Sequence, residues 1–279
     1  MSKSFVLLAG LAFVASTTHA GNIVAYGPSI SSEGTYAENA GHTVTIWDDA
    51  TWQTATANDF AAFDAILVGQ NECGNFGTPT GMWTNSALWG PLVTGNVLMH
   101  SHDDHFGEEV PEGSQDNRYD LVIARCADWT TSGSGLGLCI SIQCADILEA
   151  PEGPGSPNLN LPGIGLFEIE RSSGDDIDIV NPSHPAMAGI TDADLDCWGS
   201  SVHTHILQFP ADFEVLATDT GLGCEETVTE GEGDGSGPVT IARGGVGSSI
   251  LAIPSLSPAG LALLAVALAG GAIALLRRR

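Results

Sequence analysis

Three histidines and two aspartates fall within the six residues from His100 to His105, which read HSHDDH. Imidazole nitrogens and carboxylate oxygens are ligands that Zn²⁺ and similar ions accept in proteins. We therefore take His100, His102, Asp104 and His105 as candidate metal ligands, with Zn²⁺ as the ion. The alternative is a polar loop in which the histidines are incidental.

The position of this string favours a site, because it follows the apolar run GNVLMH, residues 95–100. Such a run is typical of a buried strand. In an open α/β sheet, ligands bind outside the carboxyl ends of the strands. The sequence therefore predicts that the histidines lie at that edge of a sheet.

A second histidine pair, His203 and His205, stands in the segment VHTHI. If residues 202–209 form a strand, side chains two positions apart point to the same face. Both rings could then join His102 or His105 across a cleft and complete a metal site. The alternative is one solvated histidine and one that caps a loop.

Two acidic stretches, DDID at 175–178 and DADLD at 192–196, place carboxylates at alternate positions. Hard oxygen ligands of this kind suit Ca²⁺. Neither stretch has the glycine and the distal glutamate of an EF-hand. A weak extracellular Ca²⁺ site and plain solvated turns both remain open.

The string HSHDDH resembles the His-x-His-x-Asp-His signature of the metallo-β-lactamase superfamily. The resemblance implies a metal-dependent hydrolase, in which a metal-bound water attacks and Asp104 helps to orient it. It would take further ligands from later in the chain. The implied set is His100, His102, Asp104, His105, His184, Asp196 and either His203 or His205.

The charge excludes one class of partner. The chain of 279 residues carries 34 Asp and Glu against 8 Lys and Arg, a formal net charge of −26. The body between the two ends, residues 21–253, holds all 34 carboxylates, four arginines and no lysine, which is a net of −30. Such a surface repels phosphate, so we exclude nucleic acid as a partner.

Both ends of the chain carry export features. Residues 1–20 have a lysine, an apolar run and the small-residue pattern THA, which predicts a signal peptide cleaved after Ala20. Residues 259–276 have no polar side chain, and at ~1.5 Å per residue they reach about 27 Å, close to the thickness of a hydrocarbon core. The arginines at 277–279 predict a transmembrane helix with its basic tail in the cytoplasm and the body outside.

The C-terminal layout resembles the IPTL-CTERM sorting signals, relatives of the PEP-CTERM tails of Gram-negative bacteria. A short motif, an apolar helix and an arginine cluster follow one another, with Ser255 where the family has threonine. The resemblance implies an inner-membrane-anchored precursor, an exosortase-type protease as partner, and transfer to the envelope or outside. The motif residues are Ile253, Pro254, Ser255 and Leu256.

An even number of cysteines in an exported body favours disulfides, up to three of them. Cys197 and Cys224 lie in adjacent loop-like stretches and could pair, and the other pairings stay open. A catalytic thiol is disfavoured, because Cys139 lacks the glycine that a nucleophile turn needs after it. The six are Cys73, Cys126, Cys139, Cys144, Cys197 and Cys224.

Apolar runs separated by helical or loop segments predict an α/β domain with a parallel sheet over residues 21–252. We expect a helix at 29–40 that ends at Gly41, a second helix at 120–127, and loops at 150–163 and 220–238. Residues 136–142 fit either type of element. The expected strands are 22–26, 42–47, 64–69, 95–100, 166–170, 177–180, 213–217 and 239–242.

The body resembles the class I glutamine-amidotransferase-like fold in NIVAYGP, DAILVG, GNVLMHSHDDH and the segment from NPSHPAMAGI to FEVLA. The resemblance implies a flavodoxin-like three-layer sandwich around a mostly parallel sheet. No cysteine follows GNVLMH, where the family has its nucleophile, so amidotransferase chemistry is not expected. The leading hypothesis is a non-catalytic surface or binding module in the cell envelope, and the alternative is the metal-dependent hydrolase.

Overall fold

The structure is a computed structural model, and the residues it describes all fall in one compact unit that ends at Gly247. Residues 1–19 of the predicted signal peptide, the tail from residue 253, Asp104, His105 and three of the cysteines lie outside these residues. The described residues are 20–69, 82, 85–103, 118–143, 149–150, 153–154, 158–198, 201–221 and 236–244.

Eight strands form one large sheet in the order β2-β1-β3-β5-β4-β13-β12-β10. The first five are parallel to one another, and β13, β12 and β10 continue the sheet with antiparallel pairing. The strands are β1 Asn22–Tyr26, β2 Thr43–Trp47, β3 Ala65–Val68, β4 Val97–His100, β5 Gly137–Ser141, β10 Ile177–Ile179, β12 Glu214–Asp219 and β13 Gly237–Arg243.

The central strands are apolar along their whole length because both faces of the sheet are covered, as is usual for parallel strands. Successive side chains of β1 alternate between two cores. Ile23 and Ala25 pack on one face, and Val24 and Tyr26 pack on the other.

One face is covered by α1 (Glu33–Asn39) and α5 (Tyr119–Ser132). The α1 helix begins after Ser32 and ends before Gly41, whose φ of 102° suits glycine, so this prediction is confirmed. The α5 helix is longer than expected. Its buried side carries Cys126, which forms a disulfide with Cys139 of β5 and fixes the helix to the sheet.

The other face is covered by aromatic side chains from three short helices: α2 (Asp49–Thr54), α3 (Ala57–Phe60) and α4 (Ser86–Trp89). Trp52 of α2 lies at its centre, within 5.0–6.3 Å of the rings of Tyr26, Phe60 and Trp89. A small antiparallel sheet completes this layer. Its strands, in the order β11-β9-β8, are β8 Asn158–Leu161, β9 Gly165–Gly174 and β11 Val202–Gln208.

The prediction of a loop at 150–163 is partly wrong. The segment contains strand β8 and also strand β7 (Gly153–Pro154), which pairs with the short strand β6 (Glu149–Ala150). Prolines and glycines dominate the composition of the segment, but NLNL alternates, so Leu159 and Leu161 enter the core. The ambiguous segment 136–142 forms β5.

The α/β class with a large, mostly parallel sheet is confirmed, and the smaller antiparallel sheet was not expected. Among the described strands, β5 lies between β3 and β4. A flavodoxin-like sheet has the order 2-1-3-4-5, so the last two parallel strands are exchanged. No helix in the described ranges is both long and apolar enough to span a membrane. The predicted span at 259–276 lies outside them.

Candidate functional site

Buried polar side chains form a row at the carboxyl ends of the parallel strands, which we call the carboxyl-end row. Leu98 of β4 and Cys139 of β5 face the helix-covered core, so His100 and Ser141, two residues later, point to the same face. The two residues are also direct neighbours in the β4–β5 ladder. The row consists of Glu33, Ser141, His100, His102 and Thr240, and each is buried.

His100 ends β4 and has no exposed surface. Neither of its ring nitrogens has a hydrogen-bond partner among the residues that the structure describes. Its ring centroid lies 5.8 Å from that of His102 and 6.1 Å from that of Tyr119. Burial, and secondly the neighbouring His102, hold the pKa of His100 well below its ordinary value, so the ring is neutral at pH 7.

His102 follows two residues later, where the chain pairs with Val202 at the start of β11. Its Nε2 lies 2.9 Å from the hydroxyl of Thr240, and its Nδ1 has no hydrogen-bond partner within the described ranges. The indole of Trp198 is tilted against its ring at 6.0 Å. Burial lowers the pKa of His102 to about 4, so this ring is also neutral.

His203 and His205 have aspartate partners. The Nε2 of His203 lies 2.5 Å from a carboxylate oxygen of Asp103, and the Nε2 of His205 lies 2.7 Å from one of Asp219. The second pair is almost completely buried, with exposed side-chain fractions of 3% and 0%. The main-chain amide of Gly221 also donates to Asp219, at 3.0 Å.

The structure therefore brings His100 and His102 together and gives His203 and His205 separate carboxylates. Between the second two, the hydroxyl of Thr204 donates to the main-chain oxygen of Gln143 at 2.6 Å. Within the described ranges, no group of three or more His, Cys, Asp or Glu side chains is placed to hold a metal ion. The four-ligand set stays a prediction, because Asp104 and His105 lie outside those ranges.

His184, which the hydrolase resemblance offers as a further ligand, caps a 3-10 turn at Pro185–Met187. The amide of Ala186 donates to its Nδ1 at 3.2 Å, and its ring packs edge-on against Trp129 at 4.5 Å. Burial lowers its pKa, and the carboxylate of Glu214 partly offsets that effect. The contacts of His184 are therefore those of a residue that caps a turn.

The acidic stretches hold main-chain amides of the edge strand β10. Asp196 accepts from the amide of Ile177 at 2.7 Å, and Asp192 accepts from that of Ile179 at 2.8 Å. Burial, and secondly the neighbouring carboxylates, raise the pKa of Asp196 to about 6. These carboxylates cover an edge that would otherwise be open to another strand. The Ca²⁺ site remains a prediction.

Several residues around the carboxyl-end row were not expected from the sequence. Glu33 accepts from the amide of Ser31 at 2.6 Å and lies 3.4 Å from the hydroxyl of Tyr119. Asp175 accepts from the amide of Trp198 at 2.8 Å and from the hydroxyl of Ser201. No local pattern in the sequence marks Glu33, and the acidic stretch at 175–178 marked Asp175 only as a candidate Ca²⁺ ligand; the fold brings it to Trp198.

One comparison with known proteins gives a match. Residues 252–279 match the family model described as the IPTL-CTERM motif. The motif is a C-terminal sorting signal, so the chain carries the mark of an exported, envelope-associated protein, as Ile253–Leu256 predicted. No curated protein and no solved structure matches the chain. The amidotransferase-like and metallo-β-lactamase resemblances receive no support.

Proposed function

We propose that this chain is the precursor of an envelope protein, anchored in the inner membrane by its apolar tail. An exosortase-type protease cleaves it near Ile253–Leu256, and the α/β ectodomain passes to the envelope or the outside as a non-catalytic binding module. The match of residues 252–279 to the IPTL-CTERM motif carries the proposal.

The disulfide bonds of the chain support the proposal that it is exported. Cys126 and Cys139 are bonded to each other inside the core, and Cys197 is also disulfide-bonded. Disulfides persist in oxidising compartments and are rare in the cytosol. Formation of the Cys126–Cys139 bond therefore reports that the chain has left the cytoplasm.

Two features of the carboxyl-end row support binding without catalysis. Cys139, which lies in β5 two residues before Ser141 of the row, is in a disulfide and offers no nucleophilic thiol. The carboxylates of Asp103 and Asp219 are each held by a histidine. The hydrolase alternative depends on Asp104 and His105 and stays a prediction.

Cell fractionation tests the proposal in a host that has an exosortase-type system. We expect the wild-type chain to lose its tail and to reach the envelope or the medium with Cys126 and Cys139 oxidised, as thiol alkylation and mass spectrometry would show. Pro254→Ala should leave the full-length chain in the inner membrane. The matched control is Ser255→Thr, which restores the family residue and should be processed.

A full-length wild-type chain in the cytosol with reduced cysteines would overturn the proposal. If Pro254→Ala were processed as well as the wild type, the motif Ile253–Leu256 would have no role in the sorting that we propose.

A further inference from the structure

Five buried polar atoms around the carboxyl-end row have no hydrogen-bond partner among the described residues. Nearly all buried polar atoms in native proteins have partners, so an exception calls for an explanation such as a bound ion. His100 neighbours Ser141 in the ladder, and the ring of His102 lies close to those of His100 and Trp198. The atoms are His100 Nδ1 and Nε2, His102 Nδ1, Ser141 Oγ and Trp198 Nε1. The imidazole nitrogens among them can offer a lone pair to an ion, whereas the indole nitrogen of Trp198 can only donate a hydrogen bond.

The charge of this region favours a cation. The buried carboxylate of Glu33 belongs to the same row, and the body of the chain has a net charge of −30, from 34 carboxylates and four arginines. An anionic ligand would meet repulsion from both. An imidazole nitrogen that makes no hydrogen bond can offer its lone pair to a metal ion.

The ring separation limits how one ion can be shared. With metal–nitrogen bonds of roughly 2 Å, two rings on one ion stand about 5.2 Å apart at a tetrahedral angle and about 6.2 Å apart in a linear arrangement. The observed distance between the centroids of His100 and His102 is 5.8 Å, which is nearer the linear arrangement.

The donors described around the row favour an ion with few ligands. Zn²⁺ takes four ligands in structural sites. The carboxylates of Asp103 and Asp219 are already bound to His203 and His205. Imidazole is a ligand that copper accepts. In its monovalent state copper can bind two such ligands in a nearly linear arrangement.

We propose that His100 and His102 bind one copper(I) ion at the carboxyl-end row. This site names the ligand of the binding module and rests on the proposed function in that respect. Rotation of the two rings about χ2, which is a soft torsion, is sufficient to direct one nitrogen of each at the ion.

The test uses the full chain, purified in detergent from the envelope of expressing cells. After anaerobic incubation with Cu(I) and ascorbate and then desalting, elemental analysis should find about one copper per chain. X-ray absorption should show two or three nitrogen ligands. His100→Gln and His102→Gln should each lower the retained copper at least about tenfold.

The matched control is His42→Gln. His42 is also buried, but it precedes β2 at the other end of the parallel strands, where it accepts from the amide of Gly21 at 3.0 Å. Its variant should retain copper as the wild type does. Circular dichroism of each variant shows whether it has folded, and if His100→Gln does not fold, His102→Gln and the absorption spectrum decide.

Three results would overturn the site: no copper retained by the wild type, as much copper retained by both histidine variants as by the wild type, or preferential retention of Zn²⁺ from an equimolar mixture. Failure of copper binding in a correctly sorted chain leaves the proposed function intact. Failure of sorting leaves the copper measurement on the purified chain unaffected, so the two proposals fail separately.

Discussion

Two His-x-His pairs meet at the same edge of the large sheet, and their surroundings differ. His102 and Val202 pair with each other, so the chain segments that carry the two pairs are adjacent. His203 and His205 each contact an aspartate. His100 and His102 contact each other and aromatic rings, and three of their nitrogens have no partner in the part of the chain that the structure describes.

The difference teaches that spacing does not decide the role of a histidine pair. What decides it is whether a carboxylate arrives from elsewhere in the fold. Asp219 reaches His205 from β12, and Asp103 reaches His203 across 100 positions of sequence. A buried polar group with a partner contributes to stability, whereas one without a partner costs free energy until a ligand satisfies it.

The largest effect should come from breaking the buried pair. His205→Leu removes the 2.7 Å contact and leaves the fully buried carboxylate of Asp219 with the amide of Gly221. We expect the free energy of unfolding to fall by about 4 kcal/mol, as measured by urea denaturation. Adding Asp219→Asn to this variant removes the buried charge and should restore part of the loss. Equal losses in the single and double variants would show that the pair is not coupled.

The second prediction concerns pH and His102 in metal-free protein. Its folded pKa of about 4 lies below the ordinary value of 6.5, so the unfolded chain takes up a proton first as pH falls. The stability from a neutral His102 is therefore complete above pH 6.5 and is lost towards pH 4, by about 3 kcal/mol. His100 acts in the same direction.

This pH dependence is measured as a difference between the wild type and His102→Leu, by urea denaturation with a chelator from pH 4 to pH 7.5. Asp196 has the opposite effect, because its raised pKa of about 6 lets the folded chain take up a proton first. Taking the difference cancels that contribution. Parallel curves for the two proteins would mean that His102 does not titrate as a buried neutral ring.

The sequence predicts the positions of His100 and His102 better than it predicts their neighbours in the fold. The run VLMH and the strand-end position identified His100 and His102, because buried parallel strands are uninterrupted apolar runs. Tyr119 and Trp198 could not be predicted as their neighbours. Each reaches the row through the packing of a separate segment, and an aromatic residue by itself only indicates a core.

The fold shows the same limit. Strands β1, β3 and β4 were predicted to within two residues, and the segment of β5 was left open between helix and strand. The second half of α5 was not predicted. Its last residues are poor helix formers, but Thr130 and Thr131 are buried against the core. Their hydroxyls donate to main-chain oxygens one turn earlier, so burial leaves them satisfied. The side chain of Asn96 also donates to the main-chain oxygen of Trp129, at 2.8 Å. That contact joins positions 33 residues apart.

A smaller effect is expected at the more exposed pair. Asp103→Asn preserves the size of the side chain and removes the charge that His203, 14% exposed, contacts. We expect a loss of about 1.5 kcal/mol in urea denaturation. Asp178→Asn, at an exposed position of β10, is the control and should change stability by less than about 0.5 kcal/mol. If the loss of stability were as large as that of His205→Leu, the difference in burial between the two histidine–aspartate pairs would not govern how much each contributes.

The smallest effect should have the opposite sign. His100→Leu replaces a ring whose two nitrogens have no partners by an apolar side chain in the same core, so metal-free protein should gain about 1 kcal/mol. Urea denaturation with a chelator measures the gain. A loss of several kcal/mol would instead show that the ring has a structural partner. With Cu(I) in excess the wild type should become more stable than His100→Leu. An ion that binds only the folded state stabilises the protein by mass action, and in the variant it has one ligand fewer.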